Sequence, residues 1–295
     1  MMTKSKTQQY ADFISTVDIQ TQPEDKKYIE QYIISFNRIR KISLCWTMVT
    51  CLLYFLNSYM LIVGIEIMSF GTAFVLVMLL LLCAFLMLRI YRMRLGLKMN
   101  NIWVQDCDVV RYLGLYNELA QYERNSTNWG IHFYNLGMAL LAAGRVEDSE
   151  KVQSLMEKYC TGHWGAFFYE LVSIELAGYK KDFEEMEEHC KKLSQIKRRV
   201  RLRGNMRVLY LEKMQYPSLV QMSRSGEYQE LYNFLDQDKT MERNASARVR
   251  KNFYLYKIAL LLGNEKKAEE HKAFVIQAGG TLRYRAEVMN NKSQV

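Results

Sequence analysis

The sequence is poor in residues that interrupt helices and in residues that build metal or disulfide frameworks. Only two prolines, Pro23 and Pro217, occur in 295 residues. Because strand-and-turn folds depend on frequent glycine and proline, this scarcity favours long helices. Six cysteines are present, but no two form a Cys-x-x-Cys pair. We therefore expect reduced thiols rather than a disulfide framework.

Charge is almost absent from residues 42–88, where Glu66 is the one Asp, Glu, Lys or Arg. The stretch 70–88 has 19 residues and no charge, and as a helix it spans roughly 28 Å, close to a bilayer core of about 30 Å. The stretch 42–65 is also apolar but contains several polar side chains, which we expect to face the partner helix or the interface: Ser43, Thr47, Thr50, Asn57 and Ser58. The sequence thus predicts two transmembrane helices joined by a short turn, 66–69.

Basic residues flank the two predicted spans and are missing from the turn between them. They are Arg38, Arg40 and Lys41 before the first span, and Arg89, Arg92, Arg94 and Lys98 after the second. The positive-inside rule then predicts a multi-pass protein of the cell membrane with both termini cytoplasmic and an extracytoplasmic turn.

Residues 1–41 form the predicted cytoplasmic N-terminal segment, with an amphipathic helix from about residue 23. Thr21 is suited to cap this helix, and Pro23 fits its first turn. The apolar stripe that follows has two interpretations, which the sequence leaves open. It lies on the membrane surface or packs against the C-terminal domain.

Residues 100–295 have helical periodicity throughout, and one stretch carries a repeat motif. Its positions are Phe133, Leu136, Gly137, Leu140, Gly144, Val146 and Ser149. This order of large, small and turn-forming residues resembles the tetratricopeptide (TPR) repeat, in which small residues let two helices approach closely and a glycine makes the turn. The resemblance implies stacked α-α hairpins, and a generic array of helical hairpins is the alternative.

Later glycines extend the predicted repeat. Gly178 follows Gly144 by 34 residues, which is the TPR period, and Gly226 and Gly263 follow at intervals of 48 and 37. The predicted fold class is therefore all-α, a two-helix transmembrane hairpin followed by a TPR-like α-α hairpin repeat array (α-solenoid). The residues assigned to the repeat structure are Leu136, Gly137, Gly144, Gly178, Gly226 and Gly263.

The resemblance also implies where a partner binds. In TPR proteins the first helices of the hairpins line a concave groove that holds a peptide or protein segment. Aromatic residues on the corresponding helices are candidates for this contact, because aromatic side chains dominate binding hot spots. They are Trp129, Phe133, Tyr134, Trp164, Phe168 and Tyr254.

A basic segment interrupts the domain. Residues 191–207 carry eight Lys or Arg and no acid, whereas residues 101–190 have a net charge of −8. Four interpretations remain open: anionic lipid, an acidic protein partner, nucleic acid, and a solvated linker that pairs with the acidic stretch. Because the domain is predicted to be tethered to a membrane, we prefer lipid over nucleic acid. The candidate contacts are Lys197, Arg198, Arg199, Arg201, Arg203 and Arg207.

No residue pattern predicts catalysis, a metal site or a cofactor. Cys160 and His163 have a suitable spacing for zinc, but with His189 and Cys190 on another predicted helix they do not make a convincing ligand set. The acidic run 184–188 is typical of a solvated helix face. We therefore expect a non-enzymatic, membrane-tethered scaffold or adaptor that binds a protein or peptide. The alternative is a lipid-responsive surface protein, or an accessory subunit of a membrane complex.

Overall fold

The computed structural model of the protein describes residues 17, 19, 21–65, 69–122 and 129–290. These residues form twelve α-helices and one short 3-10 turn, and none of them lies in a β-strand. The all-α prediction is therefore confirmed. The chain divides into two compact units. One is Pro23–Met99, and the other comprises Asn100–Val295 together with the residues before Pro23.

The first unit is built from two long apolar helices, α1 (Pro23–Ile62) and α2 (Phe70–Val104), the second of which runs on beyond the unit. Both helices are long and apolar enough to cross a membrane, and only 6% of each most apolar window is buried. Large side chains such as Phe55 and Ile62 are 70% and 83% exposed, unlike those of a helix in a soluble core. The predicted spans lie at the end of α1 and the start of α2. Residues 66–68 of the predicted turn lie outside the described residues.

Hydroxyl groups in the first predicted span are satisfied within their own helix. Thr47 donates to the carbonyl of Ser43 at 2.9 Å, and Thr50 donates to that of Trp46 at 2.7 Å. Ser58 bonds in the same way, four residues back. We predicted that these groups face the other helix or the interface, and they are among the less exposed side chains of this span, with Thr50 only 4% exposed. The three hydroxyls also bond back to their own backbone, as Ser and Thr do in helices.

Aromatic contacts join the polar ends of α1 and α2. The Tyr32 and Tyr91 rings stack with their centroids 5.1 Å apart. Lys98 Nζ lies 3.3 Å from the centroid of the Tyr28 ring, a cation–π geometry. Since an early residue of α1 meets a late residue of α2 in both pairs, the two helices run antiparallel.

The second unit contains ten helices beyond α2. These are α3 (Val109–Tyr122), α4 (Trp129–Ala142), α5 (Val146–Tyr159), α6 (Gly162–Lys180), α7 (Phe183–Lys197), α8 (Asn205–Arg224), α9 (Tyr228–Gln237), α10 (Ala245–Leu261), α11 (Glu265–Ala278) and α12 (Arg283–Asn290). Helices α4 to α11 form four consecutive pairs of neighbouring helices in contact, and α6 also packs against both α4 and α8. The first helices of the first three pairs therefore form one layer.

In all four pairs, the first helix ends in the same type of C-terminal cap. In each, a backbone N–H donates to the carbonyl five residues back, as Arg145 does to Leu140 at 2.8 Å and Asn264 to Ala259 at 2.9 Å. This is the Schellman pattern, which needs a left-handed residue just before the donor. That residue is a glycine in three turns, Gly144, Gly226 and Gly263.

The α6–α7 turn departs from the sequence expectation. Its left-handed residue is Lys181, with φ 61°, whereas Gly178 lies inside α6. Helix α6 continues past the glycine, so the turn forms three residues later than predicted. Left-handed residues 144, 181, 226 and 263 consequently recur at intervals of 37, 45 and 37, not at 34.

Small residues bring three helices together around α4. A methyl group added at Gly137 would lie 3.3 Å from Val172 Cγ1 on α6 and 3.5 Å from Val152 Cγ1 on α5. The buried Ser149 hydroxyl donates to the carbonyl of Gly137 at 3.1 Å. Any larger residue at 137 would push these helices apart.

The two ends of the second unit are tied together. Thr281 N–H donates to the carbonyl of Cys107 at 3.0 Å, and Val110 N–H donates to Thr281 Oγ1 at 3.2 Å. The Arg283 guanidinium of α12 stacks on the Tyr179 ring at the end of α6, 4.3 Å from its centroid. Helix α12 therefore returns to the early hairpins.

Candidate functional site

A cavity of about 420 Å³, partly open to solvent, lies in the second unit. Its walls come from the last residues of α2, from α4, α6, α8 and α10, from the cap residues before α10, and from α12. None of its lining residues in the described chain belongs to α5, α7, α9 or α11. The cavity is therefore lined by the first helices of the four hairpins.

One wall of the cavity carries a buried ionic network centred on Lys213. This side chain is 1% exposed and forms an ion pair with Glu175. Lys213 Nζ also donates to Tyr216 Oη at 2.8 Å, and the Tyr216 hydroxyl donates to Glu175 Oε1 at 2.9 Å. The three groups satisfy one another, which is what makes a buried charge tolerable.

Glu212 extends this network to two arginines. Its side chain is 4% exposed, and Oε2 lies 3.0 Å from Arg243 Nη1. Its other oxygen, Oε1, accepts from Arg250, whose Nη1 also lies 3.5 Å from Glu175 Oε1. Arg250 thus bridges the two carboxylates, one on α6 and one on α8.

The network shifts the pKa values of its two most buried cations in opposite directions. Burial lowers the pKa of Arg250, but the neighbouring Glu212 and tyrosines raise it well above its usual value. Burial lowers the pKa of Lys213 well below its usual value, and the neighbouring Arg250 and Arg243 lower it further, despite the ion pair with Glu175. Burial raises the pKa of the Tyr216 phenol well above its usual value. Lys213 is thus the member of the network whose positive charge is least favoured by its surroundings.

The remaining walls are mostly apolar and aromatic. The apolar lining includes Val104, Met138, Leu141, Met206 and Leu209, and the aromatic lining is Trp103, Tyr134 and Tyr284. Ligand sites typically combine such a surface with a few fixed polar groups, in volumes of about 300–1,000 Å³. The cavity has both features.

The aromatic residues proposed from the sequence occupy several different environments. Tyr134 lines the cavity, whereas Phe133 and Phe168 are 1% and 7% exposed within the helix packing. Trp164 and Tyr254 are 46% and 36% exposed. The side chain of Trp129 lies outside the described part of the structure. A partner-binding role for these six residues stays a prediction.

The basic segment between α7 and α8 forms a separate surface. All six candidate side chains are exposed, and none forms an ion pair with a described residue: Lys197, Arg198, Arg199, Arg201, Arg203 and Arg207. Val200, 7% exposed, is the one buried side chain among residues 197–207. Earlier in the same segment, Lys192 Nζ lies 2.7 Å from Glu188 Oε1, so the interpretation as a linker paired with the acidic stretch finds one ion pair in support.

Sequence reasoning missed the ionic network of the cavity. Glu175, Glu212, Lys213 and Arg250 come from three helices, and no local pattern in the sequence indicates that they meet. The buried residues of α8 are Tyr210, Glu212 and Lys213. A charge on the buried face of an amphipathic helix indicates a paired or functional group.

The comparisons with known proteins identify no relative. No family model, curated protein or solved structure matches this chain. Any functional conclusion therefore depends on the chain itself, namely the cavity and the exposed basic segment.

Proposed function

We propose that this protein is a membrane-anchored, non-catalytic scaffold or adaptor that binds a segment of a partner protein in this cavity. In this proposal α1 and α2 cross the cell membrane with both termini cytoplasmic, and helices α4 to α11 act as a TPR-like solenoid. The observation that supports it is the cavity of about 420 Å³ between the first helices of the hairpins.

The cavity suits an extended segment better than a flat protein surface. Its mixed lining offers apolar contacts for side chains and fixed charges for polar groups of the same ligand. Main-chain and side-chain groups of a bound segment are recognised in this combined way in many peptide grooves. Residues that reach the cavity from several helices also make the site sensitive to how the hairpins pack.

Site-specific crosslinking in membranes tests this proposal. A photo-crosslinking amino acid is placed at Met138, which lines the cavity, or at Leu261, which is 61% exposed at the end of α10. The expected result is a protein adduct from position 138 that is absent from position 261. Filling the cavity with Leu209→Trp is expected to abolish the adduct, and an unchanged adduct in that variant counts against the cavity.

Reporter fusions test the proposed membrane topology. A green fluorescent protein fused to either terminus is expected to fluoresce, because both termini are proposed to be cytoplasmic. Alkaline phosphatase inserted at residue 66 is expected to be active outside the cytoplasm. Phosphatase activity from a fusion at either terminus would contradict the proposed orientation.

The basic segment supports a second candidate, a lipid-responsive protein or an accessory subunit of a membrane complex. Its six exposed cations have no ion pair among the described residues, and each contributes about 1 kcal/mol near an anionic leaflet. Hydrogen exchange of residues 197–207 in nanodiscs is expected to slow when phosphatidylserine is added. Arg199→Glu and Arg201→Glu together should remove this protection, whereas Lys266→Glu on the exposed part of α11 should not. Protection that is the same in neutral nanodiscs argues against lipid binding.

A further inference from the structure

The cavity has more positive than negative charge. Its lining residues include two carboxylates, Glu175 and Glu212, and four cations: Lys213, Arg243, Arg250 and Arg283. The two carboxylates are already shared among the first three cations. Even without Lys213, whose pKa burial lowers well below its usual value, the three arginines of the lining exceed the two carboxylates by one.

Arg283 is the cation least compensated by this network. The nearest carboxylate is that of Glu287 on the same helix, 3.8 Å away, and its side chain is 37% exposed. Glu287 also lies 3.4 Å from Lys257, so it does not neutralise Arg283 alone. The guanidinium instead stacks on the rings of Tyr179 and Tyr284, at 4.3 and 4.9 Å from their centroids.

Several buried donors at the cavity have no acceptor in the described chain. They are Arg250 Nε, Arg283 Nε and the indole N–H of Trp103. The side chains of Arg250 and Arg283 are only 12% and 16% exposed. The same wall also has a buried acceptor without a hydrogen bond, Glu212 Oε2, and all of these atoms have almost no accessible surface. A negatively charged ligand is therefore favoured by the excess of cations, above all Arg283.

We propose that the cavity recognises a ligand that bears carboxylate groups next to an apolar portion. In this proposal Arg283 and Arg250 face the carboxylates, and the side chains of Met138 and Leu209 face the apolar part. This inference rests on the proposed function for the source of the carboxylates, which is an acidic segment of a partner protein. A free dicarboxylate has the same chemistry, and the experiment separates these two sources.

Binding is measured on the full-length protein in detergent by fluorescence anisotropy and calorimetry. The probes are a labelled peptide of alternating aspartate and leucine, its counterpart with asparagine in place of aspartate, and glutarate. The aspartate peptide is expected to bind at least about 10-fold more tightly than the asparagine peptide. Added salt should weaken the binding of the aspartate peptide but not that of the asparagine peptide, because only the former depends on charge.

Three variants distinguish recognition from general damage. Arg283→Gln is expected to weaken binding by about 10-fold through loss of a charge-assisted contact. Glu212→Gln removes a competing carboxylate, so it should lower thermal stability and yet tighten binding by severalfold. Lys266→Gln on the exposed part of α11 should change neither. A fall in affinity with Glu212→Gln, or no change with Arg283→Gln, would overturn the inference.

The probes also separate the two proposals. Equal affinity for the two peptides overturns carboxylate recognition and leaves the peptide-binding function intact. In a further outcome, glutarate binds with the expected effects of the three variants and neither peptide binds. This outcome supports carboxylate recognition and argues against a protein segment as the source of the carboxylates. Failure of all three probes contradicts both.

Discussion

Replacing Glu170 by glutamine is expected to destabilise the helical unit by an amount that depends on pH. Glu170 on α6 and His189 on α7 join the two helices of one hairpin, with Oε2 and Nδ1 2.6 Å apart and each side chain 9% exposed. The hydrogen bond to Glu170 raises the pKa of His189, against the opposing effect of burial. Glu185 lies further away, 3.6 Å from His189 Nε2.

The direction of the pH effect follows from the raised pKa. A histidine whose pKa is higher in the folded state stabilises the fold fully below its unfolded value of about 6.5, and this stabilisation is lost as pH rises through the folded pKa. A hydrogen bond between charged groups contributes about 1.5–3 kcal/mol. Glu170→Gln should therefore lower the free energy of unfolding by that amount near about pH 6, and by less near about pH 9.

Thermal unfolding in detergent, followed by tryptophan fluorescence, measures this difference. For a unit of this size the acidic-side loss corresponds to a melting temperature lower by about 3–12 °C. Glu185→Gln is the matched control, because its carboxylate is 44% exposed and more distant, and its effect should be small at both pH values. A penalty for Glu170→Gln that is equal at both pH values, or larger at the alkaline one, would refute the reasoning.

Three further predictions concern other buried positions. Burial lowers the pKa of His271, so the folded state loses stability as pH falls below about 6.5 and through the folded pKa. His271→Gln should therefore reduce the fall in melting temperature between about pH 7 and pH 5, and an unchanged fall would argue against this role of His271. Gly280 and Gly263 both have a positive φ, of +51° and +68°, but a methyl group at Gly280 would lie 2.5 Å from the Cys107 oxygen whereas Gly263 has nothing within 4 Å. Gly280→Ala should therefore cost about 1–3 kcal/mol more than Gly263→Ala in urea unfolding, and equal costs would contradict this. Lys251 Nζ donates to two backbone carbonyls and one carboxylate, so Lys251→Met should lower unfolding stability by about 1–3 kcal/mol, and an unshifted urea midpoint would show these bonds to be unimportant.

The apolar helices were the most predictable part of the fold, because their signal is local. A charge-free run as long as 70–88 encodes a long apolar helix without reference to any distant residue. Glycines 144, 226 and 263 likewise mark turns that need a left-handed residue. Lys181 is the exception, because a lysine there adopts the left-handed conformation that glycine adopts in the other three caps. The cap thus requires the conformation but not the residue type.

The cavity could not be predicted from the sequence because it depends on long-range contacts. Arg250 reaches Glu175 and Glu212, which lie 75 and 38 residues earlier, and no periodicity links such positions. The most conspicuous basic segment, 191–207, runs from the end of α7 to the start of α8 and its basic side chains are exposed. Clustering in the sequence thus indicated a surface, whereas charges from three separate helices formed the site.

The contact between the two ends of the second unit also has a consequence for biosynthesis. A linear array of hairpins folds progressively, since each hairpin contacts only its neighbours. Here Thr281 closes a loop of 173 residues by bonding to Asp108, and closing so long a loop carries an entropic cost before any contact is formed. During synthesis, the wall that α12 adds to the cavity is therefore the last one to form, after the network on α6, α8 and α10 can already assemble.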